Sequence, residues 1–213
     1  EDSAVAEGDA RRAGALIHDR HEQRDALQVH TKGEDTKHHV DLVTDVDRAA
    51  EKLIIETLRA AHPTHAFIGE ESYADAKDEP LTLDQKTPTW IIDPLDGTTN
   101  FVHGYHLVTV SIGLAVGGDL VLGVIYNPLL EQMCTAVRGQ GTRLNGKPVR
   151  VASASKVTEA GVVNNMGVSR APGVNALCTQ RLLALLEEGV RGLRNSGSAA
   201  QNMMDVACGR LDA

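Results

Sequence analysis

The stretch WIIDPLDGTTNF, residues 90–101, constrains this chain more than any other. Trp90, Ile91 and Ile92 read as a buried strand, Pro94 stops it, and Gly97 permits the positive φ of a sharp turn. Asp93 and Asp96 therefore meet where the strand leaves the core. Two carboxylates on one tight loop repel each other, and the arrangement is costly unless something positive lies between them. Such a strand needs a core to bury it, and 213 residues with 42% apolar content suffice for one large domain or two small ones. No repeat, linker or low-complexity segment divides the chain.

Charge and spacing exclude several classes. The net charge of −8, from 29 acids and 21 bases spread along the chain, argues against nucleic acid as a partner. Cys134, Cys178 and Cys208 are widely spaced without a CxxC, so neither a disulfide framework nor a zinc site is expected, and a reducing, cytoplasmic setting fits. Residues 107–126 have the length of a membrane span, but Val108, Val110, Ile112, Leu114 and Val116 alternate with smaller residues before Gly117-Gly118 and Asp119. That is strand period, and it predicts a hairpin rather than a helix in lipid, hence no membrane partner. The chain begins at Glu1 with no charged-then-apolar leader, and whether residues precede it stays open.

Residues 1–29 read as a polar helix interrupted by charges, and 30–41 as a mobile charged loop in which Lys37, His38 and His39 are solvated. Residues 41–63 predict a helix with Thr44 as N-cap, an apolar face of Val46, Ala50, Leu53, Ile54 and Leu58, and a stop at Pro63. A short strand runs into acids over 65–72, and strands follow the loop of Pro80 and Pro88: the opening strand, the hairpin, 132–137 and 147–152, the last two joined at Asn145-Gly146. An apolar segment near 161–165 leads to a helix from Val174 to Glu188, closed by Gly189, and a final helix begins near Ser198. Met203, Met204 and Cys208 read as core, and His103 and His106 as packing or capping groups.

Glu70-Glu71 alone reads as a solvated loop end, and DGTT alone as an ordinary Asp-Gly turn. Together they suggest more, because carboxylates at strand ends are how oxygen-rich Mg²⁺ sites are assembled. A hard cation would relieve the repulsion between Asp93 and Asp96, draw in Glu70 and take the Leu95 carbonyl. Gly97, Thr98 and Thr99 open a short helix whose free N–H groups suit an anion. An acidic chain without a basic cluster cannot hold a phosphate monoester through lysines, so metal ions must carry the charge.

GEES at 69–72, WIIDPLDGTTNFVHGY at 90–105 and GSAAQNMMDVACGRLDA at 197–213, supported by VDLVTDVD and GVIYNP, resemble the inositol monophosphatase family of Mg²⁺-dependent, lithium-sensitive phosphatases. The similarity runs from about Asp41 to the last residue. It implies an α+β fold, a layered α-β-α-β-α sandwich of the sugar-phosphatase type, in one domain over 1–213. Residues 1–150 form its metal and phosphate half, and 151–213 begin the substrate half. It implies Glu70, Asp93, Asp96 and the Leu95 carbonyl as metal ligands, and Thr98 positioning the attacking water with Asp47 polarising it. The Gly97 and Thr98 amides would hold phosphate, and Asp96 with Gly197, Ser198 and Ala199 would contact the substrate. A homodimer is implied as well. The family pattern continues with a substrate-binding acid, a WD-type motif carrying a further metal ligand and an EAGG-like close, whereas this chain stops at Asp212-Ala213. The expectation is a fragment missing C-terminal strands and helices, with a weakened second metal, slow turnover and a partly exposed final helix.

Metals at both ends of a phosphate monoester generate hydroxide and neutralise the leaving oxygen. On this reading Asp93 bridges, Glu70 serves the water side and Asp96 the leaving side, with no covalent intermediate. Three functions stay open. The first is hydrolysis of the phosphorylated polyol myo-inositol 1-phosphate, favoured by Thr99, Asn100 and Phe101 after DGT. The second is the same chemistry on galactose phosphate, histidinol phosphate, fructose bisphosphate or a 3′-phosphonucleotide. The third is an inert fragment or relative acting through subunit contacts.

Overall fold

The computed structural model describes residues 2–23, 27–31, 42–75, 83, 85–165, 167 and 171–213. Most of the expected charged loop, with Lys37, His38 and His39, lies outside them, as does Pro80.

Helix α1 (Asp2–Glu22) buries Ala6, Ala10, Ala13, Gly14 and Ile17, a stripe of mostly small residues that its many charges hide in the sequence. Small side chains permit close approach: a Cβ at Gly14 would lie 2.5 Å from the Tyr126 ring. Strand β1 (Val29–Thr31) pairs antiparallel with β2 (Leu42–Thr44), so the start of the expected loop is extended and paired. Helix α2 (Asp45–Ala61) begins at Thr44 with a capping box: the Thr44 hydroxyl accepts from Val46 N at 3.2 Å, and Asp47 Oδ2 accepts from Thr44 N at 2.8 Å.

The central sheet contains β3 (Ala66–Gly69), β4 (Thr89–Asp96), β5 (Thr109–Val116), β6 (Asp119–Asn127), β7 (Gln132–Val137), β8 (Gly141–Leu144) and β9 (Lys147–Val149), in that order. Helix α3 (Glu70–Asp75) follows β3, and α4 (Thr98–Val102) follows β4. Strands β3 and β4 are parallel, and every later neighbour is antiparallel. The hairpin turns at Gly117 and Gly118, both at positive φ. The last strand of the sheet stops at Val149, short of the expected 152, and Val151 is exposed.

Pro94 does not stop β4. The strand runs through it to Asp96, with a register shift between the pairs Asp93↔Ser111 and Asp96↔Thr109. Strand β3 ends at Gly69, opposite Ile92, so Pro94 lies beyond the edge on that side, where its missing N–H costs no ladder bond. The bulge keeps Asp93 and Asp96 at the strand end.

Val110, Ile112 and Leu114 of β5 point into the main core with α1 and α2, next to Ile54, Leu58 and Trp90. The other face carries Thr109 and Asn127, which meet Ser198 and Gln201 of the C-terminal region. There β10 (Gly161–Val163) pairs parallel with β11 (Gly192–Arg194), α5 (Pro172–Glu187) connects them, and α6 (Ala199–Ala207) follows. The result is a layered mixed α/β fold around a mixed sheet. Met204 is buried, but Met203 is 58% exposed, because α6 presents only one face to the sheet, and Cys208 at its C-cap is half-buried rather than core. Among the described residues no helix is long and apolar enough to cross a membrane.

The Thr44 hydroxyl caps α2 and contacts Asp47, so Thr44→Val should cost about 1–2 kcal/mol. A lower urea midpoint at unchanged slope would register this.

Candidate active site

Glu70 stands at the first position of α3, where buried Glu51 of α2 accepts from Glu71 N at 2.7 Å and Ser72 N at 2.9 Å. The chain passes so close that a Cβ on Gly69 would lie 2.4 Å from the Glu51 carboxyl, so any larger residue there would push that carboxyl off the amides it holds. Sequence reasoning missed Glu51. Its signal is a charge on the apolar face of α2, four residues after Asp47 and beside Ala50 and Ile54.

Asp93 Oδ1 accepts from Leu95 N at 3.2 Å across the bulge. Burial pushes the Asp93 carboxyl well above the usual carboxylate range, and the nearby charges of Glu70 and Asp96 push it further, with Glu70 hydrogen bonded to it. Asp96 faces the other way: its Oδ2 accepts from the Ser198 hydroxyl and from Ala200 N, both at 2.6 Å, with the Thr109 hydroxyl at 3.4 Å. Ser198 is fully buried and also accepts from Gln201 N at 3.1 Å as N-cap of α6. Its hydroxyl is thus committed to Asp96 and the helix, a role the sequence did not suggest.

Gly97 adopts φ 96° and turns the chain into α4. This brings the Thr98 hydroxyl 3.1 Å from Asp47 Oδ1 and 3.2 Å from the Leu95 carbonyl. Asp47 is buried, which raises its pKa, while its bonds from Thr44 and Thr98 oppose the shift. One carboxylate thus closes the capping box of α2 with one oxygen and holds Thr98 with the other. Gly197, at φ 80°, leads to Ser198 and Ala199 beside this loop.

The fold therefore brings Glu70 to Asp93 and Thr98 to Asp47 and the Leu95 carbonyl, and places Asp96 between them and α6. Carboxylate and carbonyl oxygens, with no sulfur or imidazole among them, suit a hard divalent cation, as does the crowding at Asp93. Among the described residues no three His, Cys, Asp or Glu side chains already converge on a single ion position.

The profile of the inositol monophosphatase family matches residues 1–213. The chain belongs to that family. Inositol monophosphatase 2 of Solanum lycopersicum is 45% identical over 203 residues, 95% of this chain and 73% of that protein. Its relatives in this family are named for phosphoric monoester hydrolysis. Among solved structures, the extragenic suppressor protein suhB of Bartonella henselae superposes with a TM-score of 0.84 at 35% identity, covering 98% of this chain and 75% of that one. A crystal structure described as inositol monophosphate bound SaIMPase-II superposes at 0.71 with 25% identity, covering 98% of this chain and 69% of that one. The chain thus spans about three quarters of the tomato protein's length.

Because the Asp93 pKa is raised on folding, the native state keeps its proton to higher pH than the unfolded chain. Stability without metal should therefore fall as pH rises from the ordinary value of 3.8 toward the native one. Asp47 and Asp9 contribute with the same sign. Urea midpoints in chelator between about pH 4 and 7 should show this decline. Asp93→Asn should reduce the slope of this decline.

Proposed function

We propose that the protein hydrolyses the phosphate monoester of a small polyol, foremost myo-inositol 1-phosphate, with Mg²⁺ held by Glu70, Asp93, Asp96 and the Leu95 carbonyl. The observation that carries this reading is the Thr98 hydroxyl, held between Asp47 Oδ1 and the Leu95 carbonyl beside the Glu70 and Asp93 pair. Bound divalent ions supply Lewis acidity and neutralise charge on the ester. Asp47 and the Leu95 carbonyl compete for the single Thr98 proton, which leaves the hydroxyl oxygen free to accept a hydrogen bond from an attacking water and aim it. The Gly97 and Thr98 amides face the phosphate oxygens, and the backbone of Gly197, Ser198 and Ala199 contacts the polyol hydroxyls. Ser198 and Ala200 N keep Asp96 from swinging when substrate binds. A cytoplasmic homodimer belongs to the same reading.

A second substrate class has its own support, since one SaIMPase-II structure is described as 2′AMP bound and superposes at a TM-score of 0.73 with 25% identity. A panel of inositol, galactose, histidinol, fructose and nucleotide phosphates with Mg²⁺ separates the two, and the inositol ester should have the highest kcat/KM.

Asp93→Asn should lower Mg²⁺-dependent phosphate release by at least ~100-fold while leaving the far-ultraviolet spectrum intact, the scale of removing one electrostatic stabiliser. Normal turnover in that variant would overturn the proposed metal site. Lithium at millimolar concentration should inhibit at saturating substrate, and indifference to it would count against the inositol assignment.

A further inference from the structure

Asn100, in the first turn of α4, spans two halves of the chain. Its Nδ2 donates to the Leu107 carbonyl and to the Ser196 carbonyl, both at 2.8 Å. An amide nitrogen has two hydrogens, so both are used. Leu107 leads into β5, and Ser196 lies between β11 and α6, 96 residues from Asn100. The backbone is packed tightly here. A Cβ at Gly97 would lie 2.8 Å from the Leu107 carbonyl and 3.3 Å from Ser198 Cβ, and one at Gly197 would lie 2.7 Å from Asn100 Oδ1. Gly97 and Gly197 both have positive φ, so their two turns approach each other in conformations that suit glycine, with the Asn100 amide locked between them.

We propose that Asn100 is a positioning residue: it sets the separation between the turn at Gly97 and Thr98 and the backbone of Gly197 to Ala199, and so selects hydroxyl-rich phosphate esters over plain ones. This rests on the phosphatase reading above, in which the first turn faces phosphate and the second faces hydroxyls. An ester recognised only through its phosphate uses one turn. A polyol phosphate must satisfy both, so an error in their spacing falls on it alone. Asn100 acts through the two carbonyls it holds, not on the reacting atoms. A role confined to stability would lower all substrates alike.

The test compares kcat/KM for myo-inositol 1-phosphate and p-nitrophenyl phosphate in the parent protein, Asn100→Asp and Asn100→Ala, at saturating Mg²⁺, with Tm recorded for each. Asn100→Asp keeps the shape but turns the donor into an oxygen that repels both carbonyls. Asn100→Ala removes the contact without adding charge, and serves if the first variant fails to fold. The inositol ester should lose about 100-fold, chiefly through KM, while the nitrophenyl ester stays within about 3-fold, the former being the scale of a reactant displaced by ~1 Å. Equal losses on both esters, or no loss on either, overturn the proposal. If the parent protein hydrolyses neither ester, the phosphatase reading fails instead. Calorimetric titration of inositol 1-phosphate and inorganic phosphate into the same proteins then decides on Asn100: only the first should bind more weakly to the variants, and parallel changes overturn the proposal.

Discussion

Like charge crowded at the end of β4 is the constraint around which the rest of the site is arranged. Burial and two neighbouring carboxylates act together on Asp93. The surrounding acids are each held from behind by backbone amides or hydroxyls: Asp93 by Leu95 N, Asp47 by Thr44, and Asp96 by Ser198 and Ala200 N. Glu51 does the converse, using its charge to fix the amides that begin the helix carrying Glu70. Hydrogen bonds to charged groups are stronger than neutral ones, so these contacts hold the acids in place despite their repulsion. Concentrating negative charge in this way costs stability, and the amides at helix starts offset part of that cost.

Features that depend on a few neighbouring residues are legible in the sequence. The Thr44 cap, the hairpin across Gly117 and Gly118 and the exit of Asp93 and Asp96 from an apolar strand are of this kind. Features that depend on distant partners are not. Pro94 reads as a strand stop, yet it is tolerated because β3 has already ended beside it. Met203 and Met204 are equally apolar, and only the placement of α6 against the sheet separates the exposed one from the buried one. The charges of α1 obscure a stripe of alanines whose use depends on the ring of Tyr126 being opposite Gly14. Glu51 takes its partners 20 and 21 residues away and Asn100 one of its two 96 residues away, so the sequence shows an acid on the apolar face of α2 and an amide after the DGTT turn but not what either one holds. The family motifs identify the chain, but the contacts that connect those motifs come from the fold.

The bond between Asp96 and Ser198 closes a loop of 102 residues, and that between Asn100 and Ser196 closes one nearly as long. Chain closure over such distances is entropically unfavourable until the intervening strands have paired, so these contacts belong late in the order of folding. The central sheet and α2 can assemble the acidic half first, leaving Asp96 without its helix partner until α6 docks. The same order in reverse describes breathing of the native state. Partial release of α6 would free Asp96 and separate the two glycine turns while the sheet stays intact, and amide exchange in α6 would then report on the integrity of the site rather than on global unfolding.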